Sequence, residues 1–294
     1  MPMFEFIESQ LKVDYPNHYQ AIMSGLKAPK KVTFRVNTLK TSAENVLKII
    51  EEAGLSVTGV PWSEHAFILN EGNEAVLRAL NIYEAGHIYL QSLSSMLPPL
   101  ILNPEKGDIL DMAAAPGGKT TQMAALTHNL ANITACEQNP IRAQKLKYNL
   151  NRQGASKVTV ITKDARQLDP FFRFDYILLD APCSGSGTLD LSDEQHVKHF
   201  TSILIDKSIQ TQKALMLKAI EMLKKNQWMV YSTCSVLKKE NEHIIQMALN
   251  TKKVEVIPID LTLDGLLPSS IPGVITVMPS SLYEGFFICL LRRI

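Results

Sequence analysis

Two cysteines stand where an apolar run gives way to a polar loop: Cys183 in DYILLDAPCSGSGTL and Cys234 in WMVYSTCSVLKKEN. Each is flanked by small or polar residues, which leaves its thiol open to a ligand instead of packed as a small hydrophobe. Cys136 and Cys289 lie inside strand-like apolar runs and read as core. A thiolate beside a bound pyrimidine has a specific use. The 5-carbon of cytosine is a poor nucleophile, but thiolate addition at the 6-carbon makes it electron-rich enough to take a methyl group, and loss of the 5-proton then expels the enzyme. Exocyclic amines need no such help, so a dedicated thiol points to methylation at carbon. Asp180, just before Cys183, would accept hydrogen bonds from the cytosine amine or a protonated ring nitrogen. It would serve equally as a cap over Ser184 and Gly185. Local sequence does not choose between Cys183 and Cys234 as the attacking thiol.

A second constellation suits a nucleoside-bearing cofactor. In DILDMAAAPGGKTTQMA a strand is followed by Ala113, Ala114, Ala115, Pro116, Gly117 and Gly118, which carry little side-chain bulk, so a ligand can approach the backbone closely before the next helix. The spacing is neither GxGxxG nor a Walker loop, and a phosphate-binding role for Lys119 has little support. Glu137 ends the next strand, 19 residues after Gly118, where an acid in such folds accepts hydrogen bonds from ribose hydroxyls. Asp164, one strand later, is placed to meet the exocyclic amine of an adenine. Each acid alone reads as a loop or cap residue. Together, at the carboxyl ends of successive strands, they mark the edge where open α/β sheets bind ligands.

The elements that must position these groups are legible. Strand-like runs at Ile109 to Met112, Ile133 to Glu137, Val158 to Ile161, Tyr176 to Asp180, Met229 to Ser232 and Val254 to Ile257 alternate with helical segments, which predicts a mostly parallel sheet covered on both faces. Val274 to Met278 and Phe286 to Leu291 predict a closing antiparallel pair. Asn139, Pro140 and Gly154 predict the cap, first position and stop of one helix. Residues 1–85 read as a small α+β module, with a strand at Val32 to Val36 and a helix at Ala43 to Glu52, and residues 86–294 as the larger domain. The prolines of SLSSMLPPLILNPEKGD read as punctuation between the two.

At 294 residues, with 46% hydrophobic residues and a net charge of +1, the chain supports well-formed cores. It has no apolar run near the roughly 18 residues of a membrane span and no basic-then-apolar opening, so a cytoplasmic, soluble protein without a membrane partner is expected. The four cysteines form no CxxC, and His196 and His199 lack nearby acid or thiol ligands, so no metal is expected. The distribution of charge is more informative than its sum. No acid occurs from Tyr15 to Ala43, which holds Lys27, Lys30, Lys31, Arg35 and Lys40. None occurs from Gln138 to Lys163, which holds Arg142, Lys145, Lys147, Arg152, Lys157 and Lys163. Both are candidate phosphate-facing patches or, equally, solvated basic surface.

DMAAAPGGKT, DAPCSG and YSTCS, in this order, resemble the RNA 5-methylcytosine methyltransferases of the Nol/Nop/Sun group, and the resemblance runs from FRVNTLK to EGFFICLLRR. It implies a class I S-adenosylmethionine-dependent methyltransferase fold of the α/β, Rossmann-like class, with a small N-terminal α+β RNA-binding module. It implies Cys234 as nucleophile, Cys183 as the residue assisting release, Asp180 as the cytosine contact, also beside the cofactor, and Lys119 near base and cofactor. Ala113 to Gly118, Glu137, Arg142 and Asp164 match the cofactor site, while Arg35, with Lys30 and Lys31 beside it, falls in the RNA-holding module. The expected substrate is transfer or ribosomal RNA, acted on by a monomer. The chain departs from the family at Thr276, where arginine is usual, in the stretch after Gly187, and in having no room for an appended RNA-binding domain. Competing readings are a DNA cytosine methyltransferase, disfavoured because TC accompanies PC; a catalytically silent RNA-binding protein, disfavoured by retention of both cysteines and Asp180; and a nucleotide-dependent oxidoreductase, disfavoured by the loop sequence.

Overall fold

The computed structural model describes residues 3–191 and 193–294. In chain order the elements are α1 (Met3–Asp14), α2 (Tyr19–Lys27), β1 (Thr33–Val36), α3 (Ala43–Glu52), β2 (Val57–Val60), β3 (Ser63–Leu69), α4 (Glu74–Arg78), α5 (Asn81–Glu84), β4 (Ile88–Leu90) and α6 (Leu93–Leu102). There follow β5 (Asp108–Asp111), α7 (Gly118–Leu126), β6 (Asn132–Cys136), α8 (Pro140–Gln153) and β7 (Val158–Ile161). The chain ends with β8 (Phe174–Asp180), α9 (Glu194–His199), α10 (Ser202–Met222), β9 (Leu223–Thr233), α11 (Glu242–Asn250), β10 (Val254–Ile257), β11 (Ile275–Val277) and β12 (Phe286–Arg293). Two compact units result, Lys31–Gln167 and the combination of Met1–Lys30 with Leu168–Ile294.

In the Lys31–Gln167 unit, β1 is central to an antiparallel sheet of order β2-β3-β1-β4. Phe34, Val46, Ile50, Phe67, Leu69, Leu77 and Ile88 form its core, with the rings of Phe34 and Phe67 stacked at 5.7 Å. Ser42 caps α3 by accepting from the Asn45 amide. Two of the three prolines expected to punctuate the chain lie inside a helix instead: Pro98 and Pro99 are buried in α6, and Pro104 follows its end. A proline at 99 cannot donate to the Ser95 carbonyl, and the Gln91 amide takes that acceptor at 3.0 Å. Beyond α6, β5, β6 and β7 run parallel, with Ile109 opposite Ile133 and Ile133 opposite Val158. The expected helix stands with its signals in place: Asn139 accepts from the Ile141 and Arg142 amides, Pro140 opens α8, and Gly154 closes it at φ +71°.

In the other unit β8 and β9 are parallel, with Asp180 opposite Ser232. Ile177, Leu178 and Leu179 have no exposed surface, as a strand covered on both faces requires. β12 runs antiparallel to β9 and accepts both β10 and β11 as antiparallel neighbours. The expected closing pair is thus β11 with β12. A second core joins Ile7, Leu11, Tyr15, Ile22 and Leu26 of the N-terminal helices to Leu189, Val197, Phe200, Ile205, Val236 and Leu237. Among the described residues, no helix is long and apolar enough to cross a membrane, and no cluster of three ligating side chains could hold a metal ion. The His196 side chain lies outside the described part.

Candidate active site

The parallel pairing of β8 and β9 brings their carboxyl ends side by side, and with them the two loop cysteines. The Cys183 and Cys234 sulfurs are 3.1 Å apart and both residues are half-buried. The hydrogen bond to Cys234, with burial behind it, pushes the Cys183 thiol well above its ordinary range, and either sulfur can donate to the other. Asp180, at the last position of β8, receives the Ser232 hydroxyl at 2.7 Å. Cys136 and Cys289 are fully buried, as their sequence context indicates, and burial pushes Cys136 up to about 12 and Cys289 further still.

The loops are fixed by groups that sequence reading missed. Glu240 is fully buried, and its carboxylate accepts from the Ser184 amide at 2.7 Å, the Ser184 hydroxyl at 2.6 Å, the Ser235 hydroxyl at 2.6 Å and the Gln212 amide at 3.3 Å. Gln212 also donates to the Pro182 carbonyl at 3.0 Å. Asn241 accepts from Thr233 at 2.6 Å and donates to the Ser235 carbonyl at 2.8 Å. The Gly187 amide donates to the Cys234 carbonyl at 3.0 Å, crossing directly from one loop to the other. A glutamate in KKENE reads as solvated charge, and nothing local signals its burial.

In the Lys31–Gln167 unit the small-residue loop follows β5 and turns into α7 at Gly117, which takes φ +109°. A Cβ there would stand 2.9 Å from the Leu146 side chain, so glycine satisfies both the backbone and the space. Neighbouring side chains take the loop's carbonyls: Arg142 donates to Ala115 and Asn149 to Pro116, each at 2.8 Å. Ala114 donates to the Cys136 carbonyl at 2.8 Å, and buried Asp111 accepts Thr120 at 2.7 Å, joining the strand end to α7. Glu137, directly after β6, is 4% exposed, accepts the Asn139 amide at 2.8 Å and has Arg142 at 3.6 Å. Asp164 follows β7 and is held below the usual carboxylate range first by the hydrogen bonds of Arg166. Ala113 and Gly118 are half-buried; Lys119 donates to Ser95 at 2.8 Å. The loop residues, Glu137, Arg142 and Asp164 therefore gather at the carboxyl edge of β5, β6 and β7.

The expected RNA contacts differ among themselves. Arg35 is buried, stacked 5.0 Å from the Tyr89 ring, and donates to Gln91 at 2.9 Å, Thr121 at 2.6 Å and the Gly118 carbonyl at 3.1 Å. The same motif ties Asn37 to the carbonyls of Gly86 and Gln153, each at 2.8 Å, and Lys40 to those of Ala85 at 2.9 Å and Arg152 at 2.6 Å. FRVNTLK thus anchors α7 and α8, the helices that frame the loop. Lys30 donates to the carbonyls of Gly25 and Ser280, and Lys31 is exposed. On α8, Arg142, Lys145 and Lys147 are exposed beside Tyr148, with no acid on the helix.

With this geometry in hand, residues 99–292 match the family described as 16S rRNA methyltransferase RsmB/F, and residues 5–75 its ferredoxin-like domain. The chain belongs to the RsmB/F methyltransferase family. The small N-terminal domain and the methyltransferase fold expected from sequence are both those of the family. Ribosomal RNA small subunit methyltransferase F of Shewanella piezotolerans is 33% identical over 98% of this chain and 63% of its own length. That of Klebsiella pneumoniae is 34% identical over 97% of this chain and 62% of its own. The chain therefore spans about three fifths of these curated relatives. Among solved structures, a methyltransferase homolog from Pyrococcus horikoshii is 33% identical with a TM-score of 0.84, covering 95% of this chain and 92% of its own. NSun6 from Pyrococcus horikoshii, solved with SFG, shares the fold at 23% identity and a TM-score of 0.86, over 98% of this chain and 97% of its own.

Proposed function

We propose that the chain methylates the 5-carbon of a cytosine in small-subunit ribosomal RNA, with S-adenosylmethionine as donor and Cys234 as nucleophile. The observation that carries this reading is the thiol pair at 3.1 Å, flanked by Asp180 at the end of β8. Cys234 is assigned as the attacking sulfur because its YSTCS motif corresponds to the nucleophile of the family that the chain resembles, a distinction local sequence leaves open. The Cys234 sulfur adds to the cytosine 6-carbon while Asp180 accepts hydrogen bonds from the pyrimidine's amine edge, and the 5-carbon takes the methyl group. A base then takes the 5-proton, the C5–C6 double bond re-forms as the C6–S bond breaks, and Cys234 leaves as thiolate, assisted by a hydrogen bond from the Cys183 thiol.

The donor is assigned to the loop from Ala113 to Gly118 with Glu137, Arg142 and Asp164, and Asp180 is assigned as a further contact. The residues fit an adenosyl group: the loop confines its bulk to methyl groups, and the two carboxylates at adjacent strand ends match the donors of a ribose diol and an adenine amine. S-adenosylmethionine, when bound, supplies an electrophilic methyl group. Lys119, as the family implies, stands near base and donor. Lys30, Lys31 and the exposed basic face of α8 are assigned to the RNA backbone, and Arg35 to holding α7 within the same module. The RNA-holding module is taken as residues 1–85 and the catalytic domain as 86–294.

The test is methylation of small-subunit rRNA from cells lacking the gene, read by bisulfite sequencing. The native protein should restore one 5-methylcytosine. Cys234→Ala should abolish both turnover and covalent adduct, and Cys183→Ala should accumulate an RNA-linked enzyme. An active Cys234→Ala protein would refute the mechanism, and methylation of DNA but not RNA would refute the substrate.

A further inference from the structure

A buried carboxylate that neither binds RNA nor reaches the reacting atoms occupies the base of both thiol loops. Glu240 lies between β9 and α11 with no exposed surface, and four donors converge on it. Three of them come from Ser184 and Ser235, the residues that directly follow Cys183 and Cys234. The fourth, Gln212, also holds the carbonyl of Pro182, directly before Cys183. Its main-chain carbonyl accepts the Tyr231 hydroxyl at 2.6 Å, anchoring the turn to β9. Such a carboxylate is costly to bury and is stable only because every donor is in place. Two loops 51 residues apart in sequence thereby share one carboxylate, in addition to the links of Ser186 to Ser235 at 2.8 Å and of the Val236 amide to Ser186 at 3.0 Å.

We propose that Glu240 is a positioning residue for the thiol pair: its carboxylate locks the Cys183 and Cys234 loops together so that their sulfurs stand within hydrogen-bond reach. The direct links between the loops, from Ser186 to Ser235 and Val236 and from Gly187 to Cys234, hold the chain three and four residues beyond Cys183, whereas Glu240 takes both donors of Ser184 directly beside it. The carboxylate also sets the electrostatic background of the pair, since Glu240 and Cys234 both disfavour a thiolate on Cys183. This inference rests on the functional reading above only where turnover is measured, because thiol geometry can be read without RNA.

The geometric probe is phenylarsine oxide, which condenses with two neighbouring thiols, forming one As–S bond to each and releasing water. Cys136 and Cys289 are buried and distant in role, so capture by the native chain should require Cys183 and Cys234 and vanish in either Cys→Ala variant. Glu240→Gln keeps the shape but loses the charge and the ability to accept all four bonds. It should weaken capture about tenfold or more, the worth of one lost hydrogen bond to a charged group. Turnover should fall on the order of a hundredfold, as for roughly 1 Å of misplacement, with KM for the donor unchanged. A role in folding alone would lower the unfolding midpoint without altering capture by the folded fraction. Capture within twofold of the native chain overturns the proposal, whatever happens to turnover. Should Glu240→Gln not fold, Ser235→Ala, which removes one bond of the four, carries the same comparison. Absence of methylation by the native chain would sink the functional reading while leaving the capture experiment decisive for Glu240.

Discussion

At the thiol edge four donors converge on one buried carboxylate, whereas at the donor loop Arg142, Asn149, Arg35 and Thr120 each hold a different atom and no side chain is shared. The first arrangement joins loops that are remote in sequence and must set two sulfurs at a fixed separation. The second shapes a continuous stretch of backbone, most of whose conformation is already set by a glycine and its small neighbours. A hub concentrates sensitivity in one residue; a distributed frame spreads it. Loss of one frame contact should therefore give graded effects on donor affinity, in contrast to the loss of pair geometry expected when Glu240 is changed.

Arg35→Met should be the most damaging change to the frame, because it removes the Arg35 donors from the Gln91 side chain, the Thr121 hydroxyl and the Gly118 carbonyl together. A stability loss on the order of 3 kcal/mol is expected in chemical denaturation. RNA affinity measured where the variant remains folded should change little; a selective loss of RNA binding at full stability would return Arg35 to direct contact with the phosphates. Gly117→Ala comes next. Its φ of +109° and the nearby Leu146 side chain should cost roughly 2 kcal/mol and weaken donor binding in calorimetry. Unchanged affinity would show that the loop tolerates distortion and that the comparison overstates its shape. Asn149→Ala should be mildest, about 1 kcal/mol, with a few-fold change in donor affinity and none in arsenical capture. An effect as large as that of Glu240→Gln would erase the distinction between hub and frame.

The sequence was most readable where a local signal and its structural consequence coincide. α8 carries its cap, first-turn proline and terminal glycine, and each does locally what its chemistry prescribes. α6 escaped this reasoning because the carbonyl that Pro99 leaves without a helical donor is taken by Gln91, a partner outside the helix. β9 begins at Leu223, well before the apolar run at Met229, because Leu223 pairs with Phe174 of β8; Lys224, Lys225 and Asn226 fall in the register shift before Trp228 meets Tyr176 and carry no apolar periodicity. Arg35 and Glu240 both read as surface charge, and both are buried among partners drawn from distant segments.

The sequence by itself determined which chemistry was available: two loop cysteines at strand ends, an acid beside one of them, a small-residue loop and two carboxylates at successive strands. Residue type and short-range spacing carry that information directly. Tertiary structure alone decided that the two sulfurs meet, because a 3.1 Å separation between residues far apart in the chain exists only once both loops are folded. It also decided that Arg35 and Glu240 are internal fasteners. A charged side chain goes inside only when all its partners converge, and convergence is a property of the folded chain.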